Sequence, residues 1–119
     1  MSILVIDDEN VTRRVVIHAL RSMDVSVLEA EDGTGALEIA QNNSISLAIV
    51  DINLPDIDGF EVMRQLQALP GMAGTPIIMF TARNRTGDEM MAREVGAVDF
   101  LYKPFSTQEL RELVMKHLQ

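Results

Sequence analysis

Five short apolar runs recur along the chain, at 3–6, 27–30, 47–50, 76–80 and 100–102. The first, third and fourth do not alternate with polar residues, so they read as strands buried on both faces. Glu29 interrupts the second, which suits a strand at a sheet edge. Between the runs the period changes to that of a helix. Val11, Val15, Val16, Ala19, Leu20 and Met23 form one apolar face, with Arg13, Arg14, His18 and Arg21 on the other side. Ala36, Leu37 and Ala40 mark a shorter second helix. Val62, Met63, Leu66 and Leu69 give the stripe of a third, over 58–69. Thr86-Gly87-Asp88-Glu89 and Ser106-Thr107-Gln108-Glu109 read as capping boxes opening a fourth and a fifth helix. The fifth is expected to bury Leu110, Leu113, Val114 and Leu118. Asp32-Gly33, Pro70-Gly71 and Gly74 mark turns.

The order is therefore strand then helix, five times over. Such alternation predicts an α/β domain with a parallel sheet, covered on both faces through right-handed crossovers. No repeat, linker or composition shift divides the 119 residues, so 1–119 reads as one domain. Apolar residues make up 47%, enough for a real core. The absence of Cys removes disulfides, thiolate metal sites and thiol nucleophiles. No apolar run approaches the roughly 18 residues of a membrane span, and the N-terminus lacks a signal peptide's basic flank. A soluble, cytoplasmic protein without membrane insertion is the expectation. The formal charge of −8 argues against direct nucleic-acid binding, which needs clustered Lys and Arg, and suits a cation site or a basic partner.

In a sheet of this kind, ligands bind beyond the carboxyl ends of the strands. Asp7, Asp8 and Glu9 follow the first strand, Asp51 the third, Thr81 the fourth and Lys103 the fifth. The second strand contributes nothing comparable. Each residue alone has an ordinary structural explanation, such as a helix cap or a solvated charge. Together they put at least three carboxylates, a hydroxyl and one ammonium on a single rim. Carboxylates that converge cannot all ionise cheaply without a cation. An oxygen-only donor set suits Mg²⁺, with Mn²⁺ as an alternative, and the lack of Cys or of His on the rim disfavours Zn²⁺. A metal beside Lys and Thr is a phosphoryl-binding arrangement. Yet Glu9-Asn10-Val11 stands where a phosphate-cradling glycine loop would be, which disfavours nucleotide and flavin phosphates. The remaining reading is a protein that carries the phosphoryl group itself, on Asp51 as a carboxylate nucleophile.

These residues resemble the receiver domain of two-component response regulators, the CheY-like family. The resemblance spans the whole chain: Asp7-Asp8, Asp51 with Leu54-Pro55 and Asp58-Gly59, Thr81-Ala82, and Lys103-Pro104-Phe105. Thr81 lies 30 residues after Asp51, and Lys103 lies 22 after Thr81, as in the family. The resemblance implies a doubly wound (βα)5 flavodoxin-like fold with strand order 2-1-3-4-5. It implies Asp51 as phosphoacceptor, Asp8 as a direct Mg²⁺ ligand, Asp7 as a largely water-mediated one, and the Asn53 carbonyl as a further ligand. Thr81 and Lys103 would bind the phosphoryl oxygens, and the Lys103–Pro104 bond would be cis. Phe100 occupies the switch-aromatic position and would rotate inward once Thr81 moves. A sensor histidine kinase or a histidine phosphotransfer protein would be the donor. A downstream effector or output domain would read the surface of the fourth helix, fifth strand and fifth helix, which also admits a phosphorylation-dependent dimer. No output or DNA-binding element follows the fifth helix in this sequence. Arg83 and Asn53 stand where family members vary, and there they would govern access of the hydrolytic water. Met90 and Met91 read as core and rim, with an adaptable contact as the alternative, and His18 and His117 as surface or boundary residues rather than phosphodonors. An aspartate-nucleophile phosphatase of the haloacid dehalogenase type also uses a strand-end Asp and Mg²⁺, but wants a second Asp where this chain has Asn53. A receiver used as a docking module without phosphorylation is the other alternative, and the complete residue set disfavours it.

Overall fold

The computed structural model describes residues 1–82 and 86–118. Arg83, assigned above to the path of the hydrolytic water, lies outside them. Five strands and five helices alternate: β1 (Ser2–Ile6), α1 (Asn10–Leu20), β2 (Ser26–Ala30), α2 (Gly33–Asn42), β3 (Leu47–Asp51), α3 (Gly59–Ala68), β4 (Ile77–Thr81), α4 (Asp88–Val95), β5 (Asp99–Tyr102) and α5 (Thr107–His117). A short 3-10 turn, Pro70–Met72, follows α3. All neighbouring strands pair in parallel, in the order β2-β1-β3-β4-β5. This is the doubly wound fold that the alternation and the family resemblance imply, and β2 is an edge strand, as Glu29 suggests.

Successive side chains of a strand point to opposite faces, so each strand feeds two cores. Leu4, Ile6, Ala48, Val50, Ile77 and Met79 pack with Ala36 and Ala40 of α2, Val62, Met63 and Leu66 of α3, and Ala92 of α4. Ile3, Val5, Leu47, Ile49, Ile78 and Phe80 pack with Val16, Ala19 and Leu20 of α1 and Leu110 and Val114 of α5. The unbroken apolar runs of β1, β3 and β4 follow from this two-sided burial. Each fully buried side chain of this size contributes roughly 1.5–3 kcal/mol, which stiffens the strands whose ends carry polar groups.

Several local expectations are corrected. Val11 and Val15 are 74% and 37% exposed rather than part of the buried face. They lie on the side of α1 that meets Pro104 and Phe105, where a groove of about 340 Å³ remains open. Met90 and Met91 are also exposed, so they are not part of the core. The Thr86 capping box does not form: Gly87 is the N-cap of α4, at φ 90°, with no side-chain cap bond. A left-handed N-cap suits Gly, and the acidic pair Asp88 and Glu89 still favours the helix dipole. The Ser106 capping box does form, with Glu109 reciprocating. Leu69, Leu113 and Leu118 are half-buried at the edges of the two cores. Among the described residues, no helix is long and apolar enough to cross a membrane.

Candidate functional site

Asp51 and Thr81 are the last residues of β3 and β4, one residue beyond the apolar runs. Asp7 follows the last residue of β1, and Lys103 that of β5. The parallel register brings these four ends level. The Asp7 side chain is fully buried, Asp51 is nearly so, and Asp8 is exposed at the mouth. Carboxylate oxygens of Asp7, Asp8 and Asp51 all lie within 4.8 Å of one another. Lys103 closes the other side: its Nζ donates to Asp7 Oδ2 at 2.5 Å, to Asp51 Oδ2 at 3.0 Å and to Glu9 Oε1 at 3.3 Å. The same ammonium sits 4.8 Å from the centre of the Phe80 ring, so the floor of the site is an aromatic face.

The backbone sets these positions. The Lys103 amide donates to the Thr81 carbonyl at 2.9 Å, tying the two strand ends together. The Lys103–Pro104 peptide is cis, as expected of the family. The Glu9 amide donates to Asp7 Oδ1 at 2.8 Å, and the Asn53 amide to Asp51 Oδ1 at 3.2 Å. Gly59 is required at the start of α3. A Cβ there would stand 2.2 Å from the Asp51 carbonyl oxygen, against backbone that has no room to give.

Electrostatics identify what the site lacks. Burial pushes the Asp7 carboxyl up, against the Lys103 hydrogen bond and the Glu9 amide, and the Asp51 charge adds to the rise. Burial pulls Lys103 down, but its hydrogen bonds to Asp7 and Asp51 outweigh it, and its ammonium is held above its usual range. Asp7 rises chiefly because burial disfavours its charged form, with the Asp51 charge a smaller cause, whereas Lys103 rises because two carboxylates hold its proton. A hard divalent ion with oxygen ligands would relieve this, and three convergent carboxylates fit Mg²⁺.

The structure thus brings together Asp7, Asp8, Asp51 and Lys103, with Thr81 buried at the adjoining strand end. Asn53 sits exposed two residues beyond Asp51. Phe100 lies on β5 and belongs to the core, 8% exposed, its ring 5.0 Å from that of Tyr102. Sequence reasoning missed two supporting residues. Arg13, placed on the polar side of α1, donates to the Asp7 carbonyl at 2.6 Å and pairs with Glu29 at 3.0 Å. Asp56, unremarked in the loop after β3, bonds to the first turn of α2. No spacing rule signals these contacts: Arg13 lies six residues from Asp7, outside any helical period, and Asp56 lies 23 and 22 residues from Gly33 and Thr34.

Residues 3–115 match the family described as the response regulator receiver domain. The alkaline phosphatase synthesis transcriptional regulatory protein PhoP of Bacillus subtilis is 37% identical over 112 residues, covering 94% of this chain and 46% of PhoP. The response regulator MprA of Mycobacterium sp. strain KMS is 36% identical over 108 residues, covering 91% of this chain and 46% of MprA. The chain therefore spans about half the length of these relatives. Among solved structures, the chemotaxis protein CheY4 of Vibrio cholerae superposes with a TM-score of 0.91 at 31% identity, covering 98% of both chains.

Proposed function

The chain belongs to the response regulator receiver domain family, and on that premise we propose that residues 1–119 form one phosphoacceptor domain whose Asp51 takes a phosphoryl group from a partner's phosphohistidine. The observation that carries this reading is the convergence of Asp7, Asp8 and Asp51 at the strand ends, with Lys103 paired to Asp7 and Asp51. An Asp51 carboxylate oxygen attacks phosphorus, the phosphorus–nitrogen bond breaks, and the imidazole leaves with that electron pair. The product is an aspartyl phosphate. Asp8, Asp7, Asp51 and the Asn53 carbonyl would hold Mg²⁺, or Mn²⁺ in its place. The bound ion would neutralise charge on the transferring oxygens. Lys103 already touches Asp51 and moves little to pair with a phosphoryl oxygen, and the Thr81 hydroxyl donates to another. The chain supplies position and charge rather than a base, and it is otherwise not an enzyme.

The partner's histidine must cross the rim to reach Asp51. The groove lined by Val11, Val15, Pro104 and Phe105 opens beside Lys103 and lies on that approach, which gives the two exposed valines a role. A sensor histidine kinase or a histidine phosphotransfer protein is the donor in this reading, in a cytoplasmic setting. The signal passes through Thr81 to the surface of α4, β5 and α5, where an effector, an output domain or a second copy binds. Phe100 rotates inward as Thr81 moves toward the phosphoryl oxygen, and phosphorylation shifts a pre-existing balance between two surfaces.

The test is incubation with acetyl phosphate, with and without Mg²⁺, followed by intact mass. One phosphoryl group is expected, only with Mg²⁺, and none on Asp51→Ala. Labelling that survives Asp51→Ala refutes the assignment. If turnover hides the label, stable binding of beryllofluoride to the wild type reports the same site.

A further inference from the structure

Asp56 is an exposed residue in the loop over 52–59 that joins β3 to α3. Its carboxylate is nevertheless fully engaged. Oδ1 accepts from the Gly33 amide at 2.8 Å and from the Ile57 amide at 2.8 Å. Oδ2 accepts from the Thr34 amide at 3.0 Å and from Thr34 Oγ1 at 2.7 Å. The Thr34 hydroxyl and then these amides hold its carboxyl far below the usual carboxylate range. Gly33 and Thr34 open α2, whose own N-cap is Asp32, accepting from Gly35 at 2.7 Å. Asp56 is therefore not the cap of its own helix. It reaches across to a neighbouring one.

The turn it grips has a second attachment. The Asp7 amide donates to the Ala30 carbonyl, at the end of β2, at 3.0 Å. The junction of β2 and α2 is thus a post between two arms. One arm carries Asp7 and Asp8, and the other carries Asn53 and Asp56. The second arm is closed at its base, where the Gly59 amide donates to the Ile52 carbonyl at 2.8 Å and Asp58 accepts from the Phe60 amide at 2.8 Å. Beyond that base, Asp56 supplies lateral bonds to the first turn of α2. The second strand bears no ligand, but its end sets the frame for those that do.

We propose that Asp56 is a positioning residue, bracing the loop after β3 against the start of α2 and so fixing the Asn53 carbonyl relative to Asp7 and Asp8 for a divalent cation. This rests on the reading of the site as a Mg²⁺-dependent phosphoacceptor. Partners that orient metal ligands are typically worth about 10–100-fold in metal affinity. A single backbone ligand on a loop still closed at its base belongs at the low end.

The experiment titrates the full chain with MgCl₂ by calorimetry and follows amide hydrogen exchange of Gly33 and Thr34 in metal-free protein. Asp56→Ala and Asp56→Glu are both expected to raise the Mg²⁺ dissociation constant about tenfold and to speed exchange at both amides. Asp56→Glu keeps the charge and displaces the carboxylate, so it separates bracing from simple attraction of the cation. Asp56→Asn keeps an oxygen for Gly33 and Ile57, loses the bond from the Thr34 amide and leaves the Thr34 hydroxyl to accept instead of donate, and should fall between. Ile45→Ala, a core truncation at the opposite end of β3, should destabilise the domain and leave Mg²⁺ affinity unchanged. Wild-type affinity in Asp56→Glu overturns the brace, whether or not Asp56→Ala binds weakly. Faster exchange with unchanged affinity in both variants reduces Asp56 to a helix-capping role and also overturns it. A wild-type chain that binds no Mg²⁺ sinks the phosphoacceptor reading, and the brace with it.

Discussion

Lys103→Met removes the one cation that, among the described residues, touches the buried carboxylates, while keeping a side chain of similar length. Its Nζ lies 2.5 Å from Asp7 and 3.0 Å from Asp51, and the three side chains are 11%, 0% and 6% exposed. Removing one partner of a buried pair costs about 3–5 kcal/mol, because the remaining charge stays buried without compensation. The third contact, to the largely exposed Glu9, adds little. Asp7 offsets part of the loss by taking up a proton, since burial already raises its carboxyl. A loss of about 3 kcal/mol at neutral pH is therefore expected without metal, small enough for a domain of about 5–15 kcal/mol to stay folded. Urea unfolding followed by far-ultraviolet circular dichroism, in chelator and then in Mg²⁺, measures it. Mg²⁺ replaces the missing charge and binds the more negative site more tightly, so the gap between variant and wild type should narrow. At 100 times the dissociation constant a ligand contributes roughly 2.7 kcal/mol. A group with a raised folded pKa stabilises most at low pH, and that contribution fades as pH rises through the folded value. For Asp7 the fade begins near its ordinary value of 3.8, so the variant's deficit should also shrink as the pH is lowered from neutrality toward that value. Equal metal-free midpoints for variant and wild type, or a gap indifferent to Mg²⁺, would refute this account of the site.

Gly59→Ala forces a Cβ against the Asp51 carbonyl oxygen and the Ile52 Cα, so it should cost at least the upper part of the usual overpacking range of about 1–3 kcal/mol. It should also weaken Mg²⁺ binding, since the end of β3 must shift, and an unchanged melting temperature would count against the geometry. Leu20→Ala should cost about 2–5 kcal/mol and Val11→Ala less than about 0.5, because Leu20 is buried and Val11 is not. Similar losses in chemical denaturation would mean that α1 is rotated from the orientation described. Asp99 offers a pH test at the far end of β5. Burial raises its carboxyl, but the His117 hydrogen bond, the Phe100 amide and Lys116 together lower it. The stability it contributes is present above the ordinary value of 3.8 and is lost as pH falls through the depressed one. Asp99→Ala should therefore flatten the melting temperature between about pH 4 and pH 2, and a curve parallel to the wild type's would contradict the assignment.

Most of the fold was legible in the chain because its signals are local. Continuous apolar runs at 3–6, 47–50 and 76–80 require burial on two faces, and helical stripes between them force a parallel sheet. Ser106 and Glu109 carry the whole chemistry of their capping box within four residues. Where one local signal met another, the outcome was less readable. Thr86 lost its cap to the left-handed backbone of Gly87. Val11 and Val15 fit the helical period yet face an open groove, since periodicity gives a direction around α1 and not what stands opposite.

The sequence alone determined the order of elements, the family, and which residue types meet at the strand ends, because parallel strands of similar length must end together. Tertiary structure decided how those residues pair. It put Lys103 between Asp7 and Asp51, 96 and 52 residues away, and sank Asp7 deep enough to raise its carboxyl. It turned Phe100 into the core and tied Asp56 to α2 and Arg13 to Asp7. Such contacts depend on distances across the sheet of a few ångströms, and hydrogen bonding and desolvation change steeply over that range. The linear pattern of residues carries no measure of that distance.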